Sequence, residues 1–394
     1  MNDNSCVDKL REYQKRSGYV AITKDVLEDA LKKMDTTKLG ISKSFIDDYI
    51  SNILDDLPTE YQDPLTYDIL KNLFKRVEKA ALLLQNNDFY FPENLVYGTA
   101  KIKSFSAFVE ANVCSKEFLI LLSNELFTFA NLLSKCVGML FIDENTKNII
   151  KGNYKYNISK DHIRTSIVKN KNAIVRFTDL ILAYTIEGEP EFAKPYMPDK
   201  VLANISSLIR DSFELFVVGH EYSHILLRHF EKDENTKSNP KKIIYIKDEK
   251  VETVFNNWNQ EINADVLGAY LTILSMRGFD FATSFMGVDI CLMAMCILET
   301  IAEQFKGKKL SYSTHPPGLS RREIVFEVLK KEHPEIEDIY EINTYIFDNL
   351  WNESMKIIME IDSFLKKEFK LSVFDVQYPL IRSLMYKIAD IIIK

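Results

Sequence analysis

Apolar positions recur at intervals of three and four along most of this chain, the spacing that lines one face of an α-helix. "DVLEDALKKM" (25–34) and "SFIDDYISNILDDL" (44–57) show it near the N-terminus, so residues 1 to about 90 are predicted to be helical. "NDFYFPENLVYG" (87–98) breaks the pattern with aromatic residues, Pro92 and Gly98, and a second helical stretch is predicted from about Ser104. Residues 145–161 are polar and turn-rich and read as a loop or boundary. After three prolines in "EGEPEFAKPYMPDK", Asp199 is a good N-cap for a long helix predicted to run to about Phe230. "EKDENTKSNPKK" is charged and reads as an exposed loop. The β-branched and aromatic runs "KIIYI" and "ETVF" then predict a small sheet before a helix that opens near Trp258. Helical spacing continues to the C-terminus apart from "GKKLSYSTHPPGLS" (307–320).

Composition narrows this picture. Only 12 Gly and 11 Pro interrupt 394 residues, which favours long helices over a sandwich of short strands, and 46% hydrophobic content is ample for a packed core. A formal net charge of −7 argues against nucleic acid or an anionic lipid surface as partner, since both need clustered Lys and Arg. The apolar stretches Phe118–Ile142 and 288–301 are interrupted by polar residues, among them Asn124, Glu125, Asp289 and Glu299. Neither offers about 20 uninterrupted apolar residues, so both are expected to be buried helices and no integral membrane segment is expected. The N-terminus lacks the basic start and apolar run of a secretory signal. Five scattered cysteines without a CxxC pair fit reduced thiols, so a cytoplasmic location is expected. Composition sets no oligomeric state.

Three of the six histidines fall in "GHEYSHILLRHF" (219–230), where His220, Glu221 and His224 spell H-E-x-x-H. Residues i and i+4 lie about 40° apart around a helix, so both imidazoles can reach one tetrahedral zinc ion. Glu221, next to the first ligand, stands beside the fourth position, where it can take a proton from water. A third ligand is needed. His229 is nine residues from His220, a rotation of about 900° on a continuous helix, which puts it on the opposite side. It can coordinate only if the chain turns sharply after His224, and "ILLR" has no glycine for that. The alternative is "NQEINADVLGAY", where Glu261 and Asp265 are again i and i+4. Glu261 can complete the ligand set, and Asp265 can accept the free N–H of a ligand histidine. Ala264 and Gly268 are small enough to let two such helices approach closely.

H-E-x-x-H on one helix followed by E-x-x-x-D on a later one resembles the gluzincin arrangement of thermolysin-like peptidases. The "EINADVLGAYL" version is most similar to the clan of the CAAX prenyl protease and the membrane protease HtpX. "STHPPGLSRRE" (313–323) is similar to the Thr-His-Pro-Pro stretch, followed by Arg, that those peptidases carry after the third ligand. The similarity covers residues 200 to 330. Members of that clan often carry membrane helices, which are not expected here, and the first 200 residues match no known pattern. A looser likeness, in motif class and soluble character, is to the phage-exclusion protease Lit. In that segment His315 is a candidate donor to the oxyanion of a tetrahedral intermediate. Tyr312 and Arg321 are candidates for substrate or transition-state contact. Ser320 and Glu323 spell a capping box for the helix that follows. His162 and His333, in charged surroundings, are expected at the surface.

The expected fold is mainly α (α+β): a helical zincin-like metallopeptidase core with a small β-sheet and extra N- and C-terminal helices. Its expected parts are a helical region over 1–198 that covers the cleft, the zinc core over 199–330, and C-terminal helices over 331–394 packed on the core. The expected activity is that of a zinc-dependent endopeptidase acting on a selective protein or peptide substrate. His220, His224 and Glu261 would hold Zn2+, and Glu221 would activate its water. The alternatives are a silent zinc-fold scaffold or regulatory binding protein, which would not need Glu221, and a defence protease.

Overall fold

The structure, a computed structural model, describes residues 5–32, 50–52, 54–84, 88–103, 106–112, 116–142, 160–230, 241–246, 249–254, 258–304 and 316–392. Among these, helices dominate, with one three-stranded sheet and one two-stranded hairpin, so the fold is mainly α with a small β component. The chain forms two compact units: Met1–Asn124 with Glu221–Phe255, and Glu125–His220 with Asn256–Lys394. These divisions differ from the borders expected after residues 198 and 330. Spatial packing, not chain order, decides them, because residues 171–187 bury against the C-terminal helices.

In the first unit, α1 (Cys6–Arg16), α2 (Lys24–Lys32) and α3 (Pro64–Leu83) accompany a sheet of β1 (Asn94–Ala100), β2 (Ala107–Asn112) and β3 (Glu117–Ser123). Its order is β1-β3-β2, with β3 parallel to β1 and antiparallel to β2. This corrects the helix expected from about Ser104 and the single buried helix expected over Phe118–Ile142. Phe118 to Leu122 is a continuous apolar run, and such a run fits a central strand covered on both faces as well as it fits a buried helix. The helix begins only at α4 (Asn124–Gly138). α1 lays Cys6, Leu10 and Tyr13 on the sheet residues Ala100, Phe108, Leu119 and Leu121. Gly98 permits that approach, since a Cβ there would stand 2.8 Å from Leu10 Cδ2. Of the predicted helix over 44–57, residues 44–49 and 53 lie outside the described residues, and 50–52 and 54–56 are helical. "KIIYI" and "ETVF" fall on β4 (Lys241–Ile246) and β5 (Glu249–Val254), which pair antiparallel as the expected small sheet.

The second unit is helical. α5 (Lys160–Lys169) and α6 (Lys171–Glu187) precede α7 (Lys200–Leu226), whose residues from Glu221 on belong to the first unit. α8 (Trp258–Ser275), α9 (Phe281–Gln304), α10 (Gly318–Lys330), α11 (Ile336–Phe369) and α12 (Tyr378–Ile392) complete it. Asp199 caps α7 as expected, accepting the Leu202 N–H at 2.9 Å. α6 is tied to α12 through the Tyr378 hydroxyl, which donates to Asp179, and to α11 through Thr178, whose hydroxyl bonds Ser354 at 2.8 Å. α9 passes α7 at Gly287, where a Cβ would meet Phe213 N at 2.5 Å, so only glycine allows this contact between backbones.

α9 is long and apolar enough to cross a membrane by length and composition, and 72% of that stretch is buried within the protein. Its Asp289 is buried and accepts from Arg322 Nε at 2.7 Å and from Asn343 Nδ2 at 2.9 Å. Arg322 also donates to Thr344 at 2.8 Å and lies 3.8 Å from the Tyr340 ring centroid, which pins α10 to α9 and α11.

Glu214, in the buried middle of α7, lies 3.7 Å from Arg210, and burial, with Asp211 adding to it, pushes its carboxyl up to about 8 from the ordinary 4.5. The folded chain therefore keeps this proton while the unfolded chain releases it. Unfolding free energy should fall as pH rises from about 4.5 to about 8 and level off above that. Glu214→Gln is expected to flatten this slope in urea titrations across that range, and an unchanged slope would rule Glu214 out as its source.

Candidate metal centre

His220, Glu221 and His224 lie on α7, and all three are buried although ionisable. Glu261 and Asp265 lie in the first half of α8 and are buried as well. The two helices meet where neither has a side chain. A Cβ on Gly219 would stand 3.0 Å from Gly268 O, and one on Gly268 would stand 2.8 Å from His220 N and 2.9 Å from His220 Cα. The backbones therefore touch one residue before the first histidine and three residues after Asp265. Gly268 was a candidate for such an approach from its size, whereas Gly219 was not singled out. A second glycine beside the motif was the available signal.

One ligand atom from each of His220, His224 and Glu261 lies within 4.8 Å of the other two. A tetrahedral zinc ion with bonds of about 2.0–2.1 Å places its ligand atoms about 3.3 Å apart. His220 Nε2 and Glu261 Oε2, at 3.6 Å, already stand near that spacing. Two imidazole nitrogens and one carboxylate oxygen form a donor set that suits zinc and leaves a coordination position open. Charge fits too. Glu221, Glu261 and Asp265 are three buried carboxyl groups close together, a setting in which a bound dication offsets negative charge.

The proton positions follow from the neighbours. His220 Nδ1 lies 2.9 Å from Asp265 Oδ1, a charged contact on one side of the ring, while Nε2 on the other side faces Glu261. Asp265 is held in turn by Arg321, whose Nε and Nη2 donate to its two oxygens at 2.6 Å each. Burial opposes ionisation of Asp265, yet the Arg321 charge and hydrogen bonds, with His220 beside them, hold its carboxyl below the ordinary range. Arg321 is correspondingly more firmly protonated than usual: burial disfavours its charge, and Asp265 more than offsets that.

Arg321 was expected at substrate or the transition state. The structure places it elsewhere: the side chain is 5% exposed, its donors are turned to Asp265, and Nη2 lies 3.9 Å from Glu261 Oε2. It comes from the first turn of α10, which begins at Gly318 behind Pro317. That start corrects the expected capping box, because Ser320 lies inside the helix and the N-cap residue, Pro317, has no side chain able to cap it. Glu299 of α9 does that work by accepting the Gly318 N–H at 2.8 Å. A Cβ on Gly318 would stand 3.1 Å from Cys296 N. His315 and Tyr312 lie outside the described residues. His162 is half-buried, and His333 stacks on Phe281 with ring centroids 3.5 Å apart.

α7 ends at Leu226, four residues before the predicted Phe230, and the chain then turns without a glycine. Arg228 adopts φ 56°, in the left-handed region, and two backbone bonds close the helix: Arg228 N–H to Ile225 O at 3.0 Å and His229 N–H to His224 O at 2.9 Å. The turn brings His229 Nδ1 to 2.8 Å from His224 Nδ1. A continuous helix would have carried His229 away; the contact forms because an arginine, Arg228, takes the left-handed position usually given to glycine. The Cys291 thiol is buried, and among the described residues no cysteine joins a candidate metal cluster. No family model, curated protein or solved structure matches this chain.

Two substitutions test the geometry. Gly268→Ala should cost about 1–3 kcal/mol, since its methyl meets backbone rather than a movable side chain. Arg321→Gln should cost about 3–5 kcal/mol by leaving Asp265 buried without its bidentate partner. Urea unfolding of the metal-free proteins measures both, and wild-type stability in either variant would contradict the contact concerned.

Proposed function

We propose that this protein is a zinc-dependent endopeptidase that cleaves a selective protein substrate. The observation that carries the reading is the buried triad His220, His224 and Glu261, with ligand atoms within 4.8 Å of one another and Glu221 adjoining the first histidine on the same helix. The resemblance of "HEYSH" and "EINAD" to gluzincin motifs supports it, as does the agreement between donor set, spacing and charge.

In this reading His220, through Nε2, and His224, through a ring nitrogen, would hold the ion together with a carboxylate oxygen of Glu261. When bound, zinc supplies a Lewis acid that acidifies water and polarises a carbonyl. Glu221 takes the proton of the attacking water and passes it to the amine that leaves when the peptide bond breaks. Asp265 keeps the His220 ring in one tautomer and orientation, and Arg321 keeps Asp265 ionised and fixed. Low exposure around the cluster excludes bulk water and strengthens each of these interactions. A purely structural zinc site has no use for a carboxylate in the position of Glu221, which favours catalysis over a silent scaffold.

Metal analysis and cleavage assays on an unfolded protein mixture test the proposal with wild type and Glu221→Gln. Both proteins should retain zinc, and Glu221→Gln should lose about 100-fold or more of the cleavage rate. His224→Ala should lose zinc and activity together. In cells, new peptide termini should appear with wild type and not with Glu221→Gln. Zinc-free wild type after zinc-replete purification, or cleavage indifferent to Glu221→Gln, would overturn the reading.

A further inference from the structure

We infer that His229 is a positioning residue for zinc: its Nδ1 accepts the Nδ1–H of His224 and thereby commits His224 to coordinate through Nε2. The inference rests on the metallopeptidase reading and extends it to a residue outside both motifs.

Proton accounting carries the first step. Two imidazole nitrogens 2.8 Å apart need one proton between them. A neutral His224 that offers the Nε2 lone pair to a metal carries its proton on Nδ1, so His224 is the donor and His229 the acceptor. His229 then carries its own proton on Nε2. His220 Nδ1 likewise faces a polar atom, Asp265 Oδ1 at 2.9 Å, so each candidate ligand histidine has a polar neighbour at Nδ1, one a carboxylate and the other a ring.

The backbone carries the second step. With Leu226 as the last helical residue and Arg228 left-handed, the two closing bonds are those of a Schellman turn. That turn brings the residue after the left-handed one against the residue five places before it, a pairing that is ordinarily apolar. Here the pair is His229 and His224, whose ring centroids are 5.0 Å apart. The turn is anchored on both sides of His229. Tyr90 N–H donates to Leu226 O at 2.9 Å, the Arg228 guanidinium lies 5.4 Å from the Tyr90 ring centroid, and Phe230 packs on Phe118 at 4.8 Å. These contacts set the position of His229 before any metal arrives.

Competition with a chromophoric chelator, using the full-length protein and zinc alone, tests this. His229→Ala should weaken zinc binding about 10- to 100-fold. His229→Asn should restore it to within about threefold, because the Asn Oδ1 occupies the place of the imidazole Nδ1 and accepts the same proton. The melting temperature of each metal-free variant reports on folding separately. Wild type that binds zinc while His229→Ala binds it equally well overturns the inference and leaves the metallopeptidase reading standing. So does Asn failing to bind better than Ala when both melt as wild type does. Wild type that binds no zinc removes the metallopeptidase reading and this role with it.

Discussion

The backbone contact between α7 and α8 at Gly219 and Gly268 is the constraint on which the candidate centre depends. A methyl group on Gly268 would intrude to 2.8 Å on the backbone of the first histidine, so the helices can hold their separation only while both positions lack side chains. At that separation His220 Nε2 and Glu261 Oε2 stand 3.6 Å apart, and Asp265 Oδ1 reaches His220 Nδ1. Glycine inside a helix costs about 1 kcal/mol relative to alanine. The close approach offsets that cost by setting the ligand geometry.

The same approach creates an electrostatic problem that the neighbouring helices answer. Carboxylates this deeply buried are unfavourable unless paired. The adjacent residues Arg321 and Arg322, at the start of α10, supply two guanidinium groups that diverge: one grips Asp265 beside the candidate centre, the other grips Asp289 on α9. Replacing such pairs by apolar residues is often neutral for stability, so their value here lies in fixing α10 in one position against α8 and α9. Glu299 at the Gly318 N–H adds a third tie to the same helix end. The arginine pair thus couples the candidate centre to the packing of the helical unit.

Periodicity read the long helices well because a helical face leaves its mark within a single turn. The N-cap at Asp199, the helix from Trp258 and the small sheet from "KIIYI" and "ETVF" were all visible from local residue types. The three-stranded sheet was not, because β3 is apolar at five successive positions from Phe118 and so carries no period of two. Its neighbours β1 and β2 declare themselves only by pairing with it. The two compact units were hidden for a related reason: α6 belongs with α11 and α12, which lie far along the chain.

What the sequence determined by itself is the spacing of the candidate site residues: a step of four from His220 to His224, and a step of four from Glu261 to Asp265, each placing two side chains on one face of its helix. That follows from about 100° of rotation per residue, a property local to the chain. The tertiary structure alone decided which faces meet, that Arg321 serves Asp265, and that His229 returns to His224. Those outcomes depend on contacts between distant segments and on one arginine held in a left-handed turn by Tyr90 and Phe118, and neither leaves a periodic trace in the order of residues.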